Sequence, residues 1–254
     1  MNRMRVEISV RGLVGFALQS GNLASGFINP GRGAEGTRAH QKVQQMRPDG
    51  YQTEVAVTHK EDHGDFAVEV SGRIDGLIAV GDSYRIEEIK TTRRALDEEH
   101  TQAPQHWAQA QVYAYIVAVQ REVEEVEIQL TYVNLDSWQT AEQHRSYGRD
   151  ELDEIFHDLL RKYLRWVGAY RQWCEKRDRS IARLHFPFPT LRKGQRELML
   201  ATYQAIEVQG NLFAQAPTGI GKTISVLFPA IKGVGQGKVE KVFYLTAKTS
   251  GRAV

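Results

Sequence analysis

The sequence predicts an α/β chain in two pieces: a mixed sheet flanked by helices, followed by a shorter and incomplete second lobe. Three observations carry this. Residues 51–133 contain runs with period-two apolar spacing, broken by glycine turns. Two stretches with helical spacing, 104–119 and 149–173, interrupt and follow those strands. Near the C-terminus a strand-like run, Asn211 to Gln215, meets a glycine-rich loop that opens another helix. Strands alternating with helices build layers of helix on sheet.

Composition bounds the rest. The 254 residues suffice for one large or two small domains. A hydrophobic content of 41% and a charged content of 25% are those of a soluble globular protein. The net charge of +2 means that any basic surface is local. One cysteine, Cys174, excludes an internal disulfide and any cluster needing several thiolates within this chain. Met1 to Leu13 alternates and lacks a continuous apolar segment, and no run reaches the length of a membrane span. The expectation is a cytoplasmic protein with no membrane partner.

In chain order, Arg5 to Val10 alternates and then meets Gly12, a short strand or the start of a helix. Gly21 to Gly36 is rich in Gly, Asn and Pro and reads as a loop. Thr37 to Met46 is helical, with His40, Val43 and Gln44 at i, i+3, i+4. Tyr51 to Thr58 is a strand with Glu54 on the face opposite Tyr51, Thr53, Val55 and Val57. Glu61 to Asp65 is a charged turn. Two strand-like runs, Phe66 to Val70 and Ser83 to Ile86, then flank the turn signal Gly81-Asp82, which makes a hairpin.

That hairpin carries the chemistry. On its second strand Tyr84, Ile86, Glu88 and Lys90 share one face, which begins apolar and ends in a carboxylate and an ammonium. Asp75 lies on the first strand, in Gly72-Arg73-Ile74-Asp75-Gly76. Burying such groups is costly unless they are paired or bind a metal. Two carboxylates can hold a hard divalent cation, and the lysine can position or polarise an attacking water. The plain alternative is a surface hairpin with charges on its wet face.

After the hairpin, Pro104 opens a helix of roughly four turns, on which Gln109 and Tyr113 are i, i+4 neighbours. Gln111 and Tyr115 have the same spacing, so the register is ambiguous; Gln109 and Tyr113 are preferred. Val123 to Val133 alternates as a half-buried strand, and Ser137 to Tyr147 suggests another. Arg149 to Trp173 is a long amphipathic helix, and its apolar stripe is a core or interdomain contact.

The residues Asp75, Glu88 and Lys90 resemble the PD-(D/E)xK nuclease pattern in its RecB-type branch. Three flanking pieces add to the resemblance. Glu35 to His40 resembles the first RecB-type motif, which implies His40 as a metal ligand with Asp75 and Glu88. Gln109 to Tyr113 looks like the QxxxY motif that follows the catalytic lysine. Such nucleases also often carry a glutamate on the strand before the hairpin, which makes Glu54 a weaker candidate. The resemblance covers about residues 5 to 135. It implies a restriction-endonuclease-like fold, Mg²⁺ or Mn²⁺ as cofactor and DNA, single-stranded, as partner. The site residues it implies are Asp75, Glu88, Lys90, Gln109 and Tyr113. A glutamine amide and a phenol suit contacts to the DNA backbone or to the lysine.

The C-terminal piece has its own motif. Ala216-Pro217-Thr218-Gly219-Ile220-Gly221-Lys222-Thr223 matches a P-loop between strand and helix, with Ala216 where the pattern has its first glycine. In that reading backbone N–H groups wrap the phosphates, Lys222 reaches the β/γ-phosphates and Thr223 holds Mg²⁺. Arg192 and Gln195 upstream, with Tyr244 to Thr249 downstream, resemble DinG/XPD-type superfamily 2 helicases. That resemblance implies ATP-Mg²⁺ binding by Gln195, Gly219, Gly221, Lys222 and Thr223, with Gln195 on the adenine. It implies a DNA contact at Lys248 or Thr249. Nothing after Thr223 supplies the acidic strand or arginine fingers of a motor. The family's iron–sulfur cysteines would also lie beyond Val254. The expectation is therefore a fragment: a nuclease domain at 1–175, a linker at 176–190, and the opening of helicase lobe one at 191–254. Two strands, Asn211 to Gln215 and a second through Val242 and Tyr244, cannot enclose a motor core, so the apolar faces (Val242, Tyr244, Val226, Phe228) are expected to be exposed or poorly packed. The function expected is the N-terminal part of an ATP-dependent DNA helicase with a metal-dependent nuclease domain, acting in repair or end processing. The alternative is an inactive domain that loads the motor on DNA.

Overall fold

The computed structural model describes residues 3–19, 30–97 and 103–246, without the side chains of 30–32. The chain falls into two compact units, Met1–Arg165 and Trp166–Val254.

The first unit is built on a six-stranded mixed sheet. Its strands are β1 (Met4–Ser9), β2 (Gln52–His63), β3 (Phe66–Val80), β4 (Ser83–Thr92), β5 (Glu125–Asn134) and β6 (Thr140–Gly148). Helices α1 (Val10–Ala17) and α2 (Pro30–Gln45) follow β1, and α3 (Pro104–Arg121) follows β4. β1 pairs parallel with β3, and β4 with β5; β2–β3, β3–β4 and β5–β6 are antiparallel. The expected hairpin is present, with Val80 opposite Ser83 and Gly81 in the left-handed region at φ +59°. Only glycine takes that conformation without a Cβ penalty.

Side chains leave the sheet on two faces, and each face meets its own helix. Ile86, Ile128 and Leu130 are wholly buried on the face that carries α3. Burying each contributes roughly 1.5–3 kcal/mol. On the other face Ala39 and Val43 of α2 pack with Ile89 and Val133. β5 is therefore buried on both sides from Ile128 to Val133, as a central strand covered by helices must be, with Gln129 and Thr131 as the polar residues of the α2 side.

Several boundaries differ from those the pattern predicts. Val10 begins α1 directly after β1, because the Ser9 hydroxyl accepts from Gly12 N–H at 3.0 Å and caps the helix. α2 begins at Pro30, inside the stretch read as a loop. β2 runs on to His63, so the charged turn shrinks to Gly64-Asp65; its partner β3 extends alongside it and keeps its groups bonded. α4 (Arg149–Ala182) passes Trp173 and continues through Lys176–Ser180, where a linker was expected.

The second unit holds the end of α4, then α5 (Gln195–Glu207) and α6 (Lys222–Gly235). Asn211 to Gln215 and residues 242–244, expected as strands, form none. A strand needs a neighbour for its N–H and C=O groups, and neither segment has one among the described residues. Phe213, Phe243 and Leu245 are exposed by 98%, 81% and 90%. Lys248 and Thr249 lie outside the described residues. Among those described, no helix is long and apolar enough to cross a membrane.

Candidate active site

The site sits at a fork in the sheet. β2 covers one edge of β3 from Phe66 to Leu77. The other edge is shared: β1 pairs with it up to Ser71, and β4 takes over at Gly76. Gly72 to Asp75 therefore have no strand on that side, and side chains supply the missing partners. The Tyr113 hydroxyl accepts from Arg73 N–H at 3.3 Å. Asp75 Oδ2 accepts from Ile89 N–H at 2.7 Å, where a continuing ladder would place a carbonyl. A Cβ at Gly72 would lie 2.7 Å from the Tyr113 ring and hydroxyl, so only glycine lets α3 come this close.

His40, Asp75, Glu88, Lys90 and Gln109 line one pocket at this fork. Gln44 of α2 donates to the Asp75 carbonyl at 2.8 Å, and His40 Nδ1 lies 3.4 Å from Asp75 Oδ1. The Asp75 carboxylate beside the ring holds the His40 pKa above its usual range. Lys90 Nζ donates to Glu88 Oε1 at 2.5 Å and to Gln109 Oε1 at 3.0 Å. Gln109 Nε2 donates to the same Glu88 oxygen at 2.7 Å. Glu88 Oε1 is thus doubly satisfied, whereas Oε2 is buried with no hydrogen-bond partner. Burial pushes the Glu88 carboxyl up to about 7, against the pull of Lys90.

An orphan buried carboxylate oxygen beside a second carboxylate and an imidazole suits a hard divalent cation. Ligand atoms of His40, Asp75 and Glu54 also lie within 4.8 Å of one another. Glu54 is an exposed non-glycine residue at φ +54°, opposite Asp75 on β2. Holding such a conformation costs about 1–3 kcal/mol. The kink turns its carboxylate toward Asp75 and His40.

Of the residues singled out from the sequence, the fork gathers His40, Asp75, Glu88, Lys90 and Gln109, with Tyr113 beside them and Glu54 at the rim. Gln109 reaches Lys90 and Glu88, and Tyr113 reaches the backbone of β3. In the competing register, Tyr115 stacks on Phe156 at 4.3 Å in the core. The sequence reading missed Arg11, Gln105 and His106, which line the same pocket. His106 could have been found, because it precedes Gln109 by three residues on α3.

Glu87 points to the opposite face and does something else. It accepts from Arg47, Tyr51, Thr131 and Gln129, and Tyr51 lies over Gly76, where a Cβ would overlap its hydroxyl. This buried network ties the segment after α2 to β4, and so fixes where His40 stands.

In the second unit, Gly219 and Gly221 have φ near +83° and +82°. Lys222 Nζ donates to the carbonyls of Ala216 and Pro217 at 3.0 and 2.9 Å. Gln195 is buried, its Oε1 accepts from Arg192 N–H at 2.7 Å, and the Arg192 guanidinium donates to the Gly219 carbonyl. Gln195, Gly221 and Thr223 line one cavity with Phe188 and Thr190.

Comparison with known proteins gives the family of the chain. The profile of the PD-(D/E)XK nuclease superfamily matches residues 30–190, so this chain belongs to that superfamily. Its members use divalent metals. Over 46 residues, 18% of this chain, it is 46% identical to a probable ATP-dependent helicase of Methanocaldococcus jannaschii; the match spans 7% of that protein. Among solved structures it is similar to the protein SSO0001, at 17% identity and TM-score 0.43, covering 62% of this chain and 75% of that one. It is also similar to an alkaline exonuclease from Laribacter hongkongensis, at 12% identity and TM-score 0.39, covering 68% and 94%.

Proposed function

We propose that the chain is a metal-dependent nuclease that cuts single-stranded DNA, and that it forms the N-terminal part of an ATP-dependent DNA helicase working in repair or end processing. The observation that carries the nuclease reading is Glu88: one oxygen held by Lys90 and Gln109, the other buried and unsatisfied. Glu88 Oε2, Asp75 and His40 hold the cation, with Glu54 as a further donor. When bound, the cation lowers the pKa of water and offsets charge on the phosphodiester. The chain's own groups do the rest. Lys90, fixed by Gln109, orients the attacking water and faces the developing negative charge. Tyr113 keeps the fork open by capping Arg73 N–H. A domain that only binds DNA has no use for an ammonium pinned beside an orphan carboxylate.

The helicase reading rests on the glycine loop and the short helicase match. Lys222 and Thr223 take the phosphates and Mg²⁺ of ATP, Gly219 and Gly221 let the loop turn, and Gln195 reads the base. Cleavage of labelled single-stranded DNA, duplex DNA and RNA with Mn²⁺ or Mg²⁺ tests the nuclease reading. Cation-dependent cleavage of single-stranded DNA is expected, and its loss in Lys90→Ala with the fold retained. Unchanged cleavage in that variant contradicts the assignment.

A further inference from the structure

His106 shares the pocket with Asp75, Glu88, Lys90 and Gln109, and the roles given above leave it unused. Its surroundings determine which nitrogen holds the proton. Nδ1 lies 2.9 Å from the Tyr132 hydroxyl. Tyr132 is buried and pairs with Lys90 across β4 and β5, so it stands on the site face of the sheet. Its hydroxyl is also reached by a backbone hydrogen bond from Ala103. A backbone N–H can only donate, so the hydroxyl accepts there and its single proton is left for His106. An imidazole that accepts at Nδ1 carries its proton at Nε2. Nothing among the described residues accepts a hydrogen bond from that Nε2. Burial and the nearby Lys90 charge pull the His106 pKa down to about 4, so the ring is neutral at pH 7.

A neutral N–H donor is the right group for this place. The substrate of the proposed reaction is a phosphodiester, whose non-bridging oxygens gain charge as water adds. A cation and Lys90 already supply positive charge, and a second buried cation beside them would cost desolvation and repulsion. We propose that His106, held in its Nε2–H form by Tyr132, donates a hydrogen bond to a non-bridging oxygen of the scissile phosphate. The proton stays on Nε2 throughout. This rests on the nuclease reading, because the donor matters only if a phosphodiester reacts in that pocket.

The test is single-turnover cleavage of a single-stranded oligonucleotide by the full 254-residue chain with Mn²⁺. Binding to the same oligonucleotide is measured separately with Ca²⁺. Removing one preorganised donor costs on the order of 10²-fold in rate, so His106→Ala is expected to lose about that much while binding changes little. In His106→Gln the amide N–H₂ reaches the position of Nε2, and about tenfold or more of the lost rate should return. Tyr132→Phe should slow cleavage alone and add nothing in the His106→Ala background, because the two act as one unit. A merely structural histidine would give a glutamine variant no faster than the alanine variant, and additive losses; either outcome overturns the proposal. So does a His106→Ala rate equal to wild type. The wild-type lane separates the two readings. If wild type cuts and His106→Ala cuts equally well, only the His106 assignment falls; if wild type never cuts, the nuclease reading falls and takes this one with it.

Discussion

Glu88→Gln is the substitution whose thermodynamic consequence follows most directly from the site. The folded chain holds the Glu88 carboxyl at about 7, against 4.5 for an ordinary glutamate, because burial disfavours the charged form. A folded-state pKa above the unfolded value means that folding takes up a proton between the two. Stability is therefore fullest below pH 4.5 and falls as pH rises through about 7. At about 1.4 kcal/mol per unit, the loss is roughly 3 kcal/mol by pH 8.5. The amide cannot ionise, so the stability difference between variant and wild type should shift by roughly 3 kcal/mol in favour of the variant between pH 4.5 and 8.5. Comparing two pH values cancels any constant effect of the amide. Urea unfolding at each pH measures it. A divalent cation should reverse the loss in wild type at pH 8.5, where the carboxylate is ionised, do little at pH 5, and do nothing comparable in the variant. Parallel pH profiles for the two proteins would refute the assignment of Glu88 as a buried, strained carboxylate.

Three further outcomes follow from the packing. Arg47→Ala leaves the Glu87 carboxylate, 2% exposed, without its cation. Breaking such a pair costs about 3–5 kcal/mol, which is about 6–20 °C in Tm for a chain of this size; a Tm unchanged in a thermal melt would show that Tyr51, Thr131 and Gln129 satisfy Glu87 alone. Gly72→Ala places a methyl 2.7 Å from Tyr113, so the ring must shift. A cost of about 1–3 kcal/mol and slower cleavage are expected, and an unaltered Tm and rate would contradict the close approach at the fork. Gly221→Ala puts a side chain at φ +82° and 2.6 Å from Gln195 Nε2. Binding of a fluorescent ATP analogue should weaken by about tenfold or more, from a strain of roughly 1–2 kcal/mol; unchanged affinity would remove this loop from the nucleotide site.

The core of the site was legible because it is local. Asp75, Glu88 and Lys90 lie on one hairpin whose turn, Gly81-Asp82, sets the register, and Gly76 opposite Glu87 makes Asp75 the neighbour of Glu88. His40 and Gln109 come from helices distant in sequence, and spacing alone could not bring them to the hairpin; the motif resemblance did. Other features had no local signal. The fork depends on β1 pairing parallel with β3 across some sixty residues, which no periodicity records. Glu87 and Glu88 are chemically identical neighbours, and only the pleat sends one to the pocket and the other to Arg47. Glu54 stood only as a weaker candidate, because alternation assumes regular backbone and its positive φ breaks that regularity. The strands expected at Asn211–Gln215 and near Tyr244 had the right composition but no ladder partner, so propensity alone did not make them strands.

The fork is proposed to exist to hold one divalent ion between α2, β3 and β4. Anomalous diffraction from crystals grown with Mn²⁺ sees that ion directly. The expected result is one strong peak in bonding contact with Asp75 and with Glu88 Oε2, near His40 Nδ1, that vanishes in Glu88→Gln. Cation-dependent cleavage with no peak at the fork, or a peak that ignores Glu88, would contradict it.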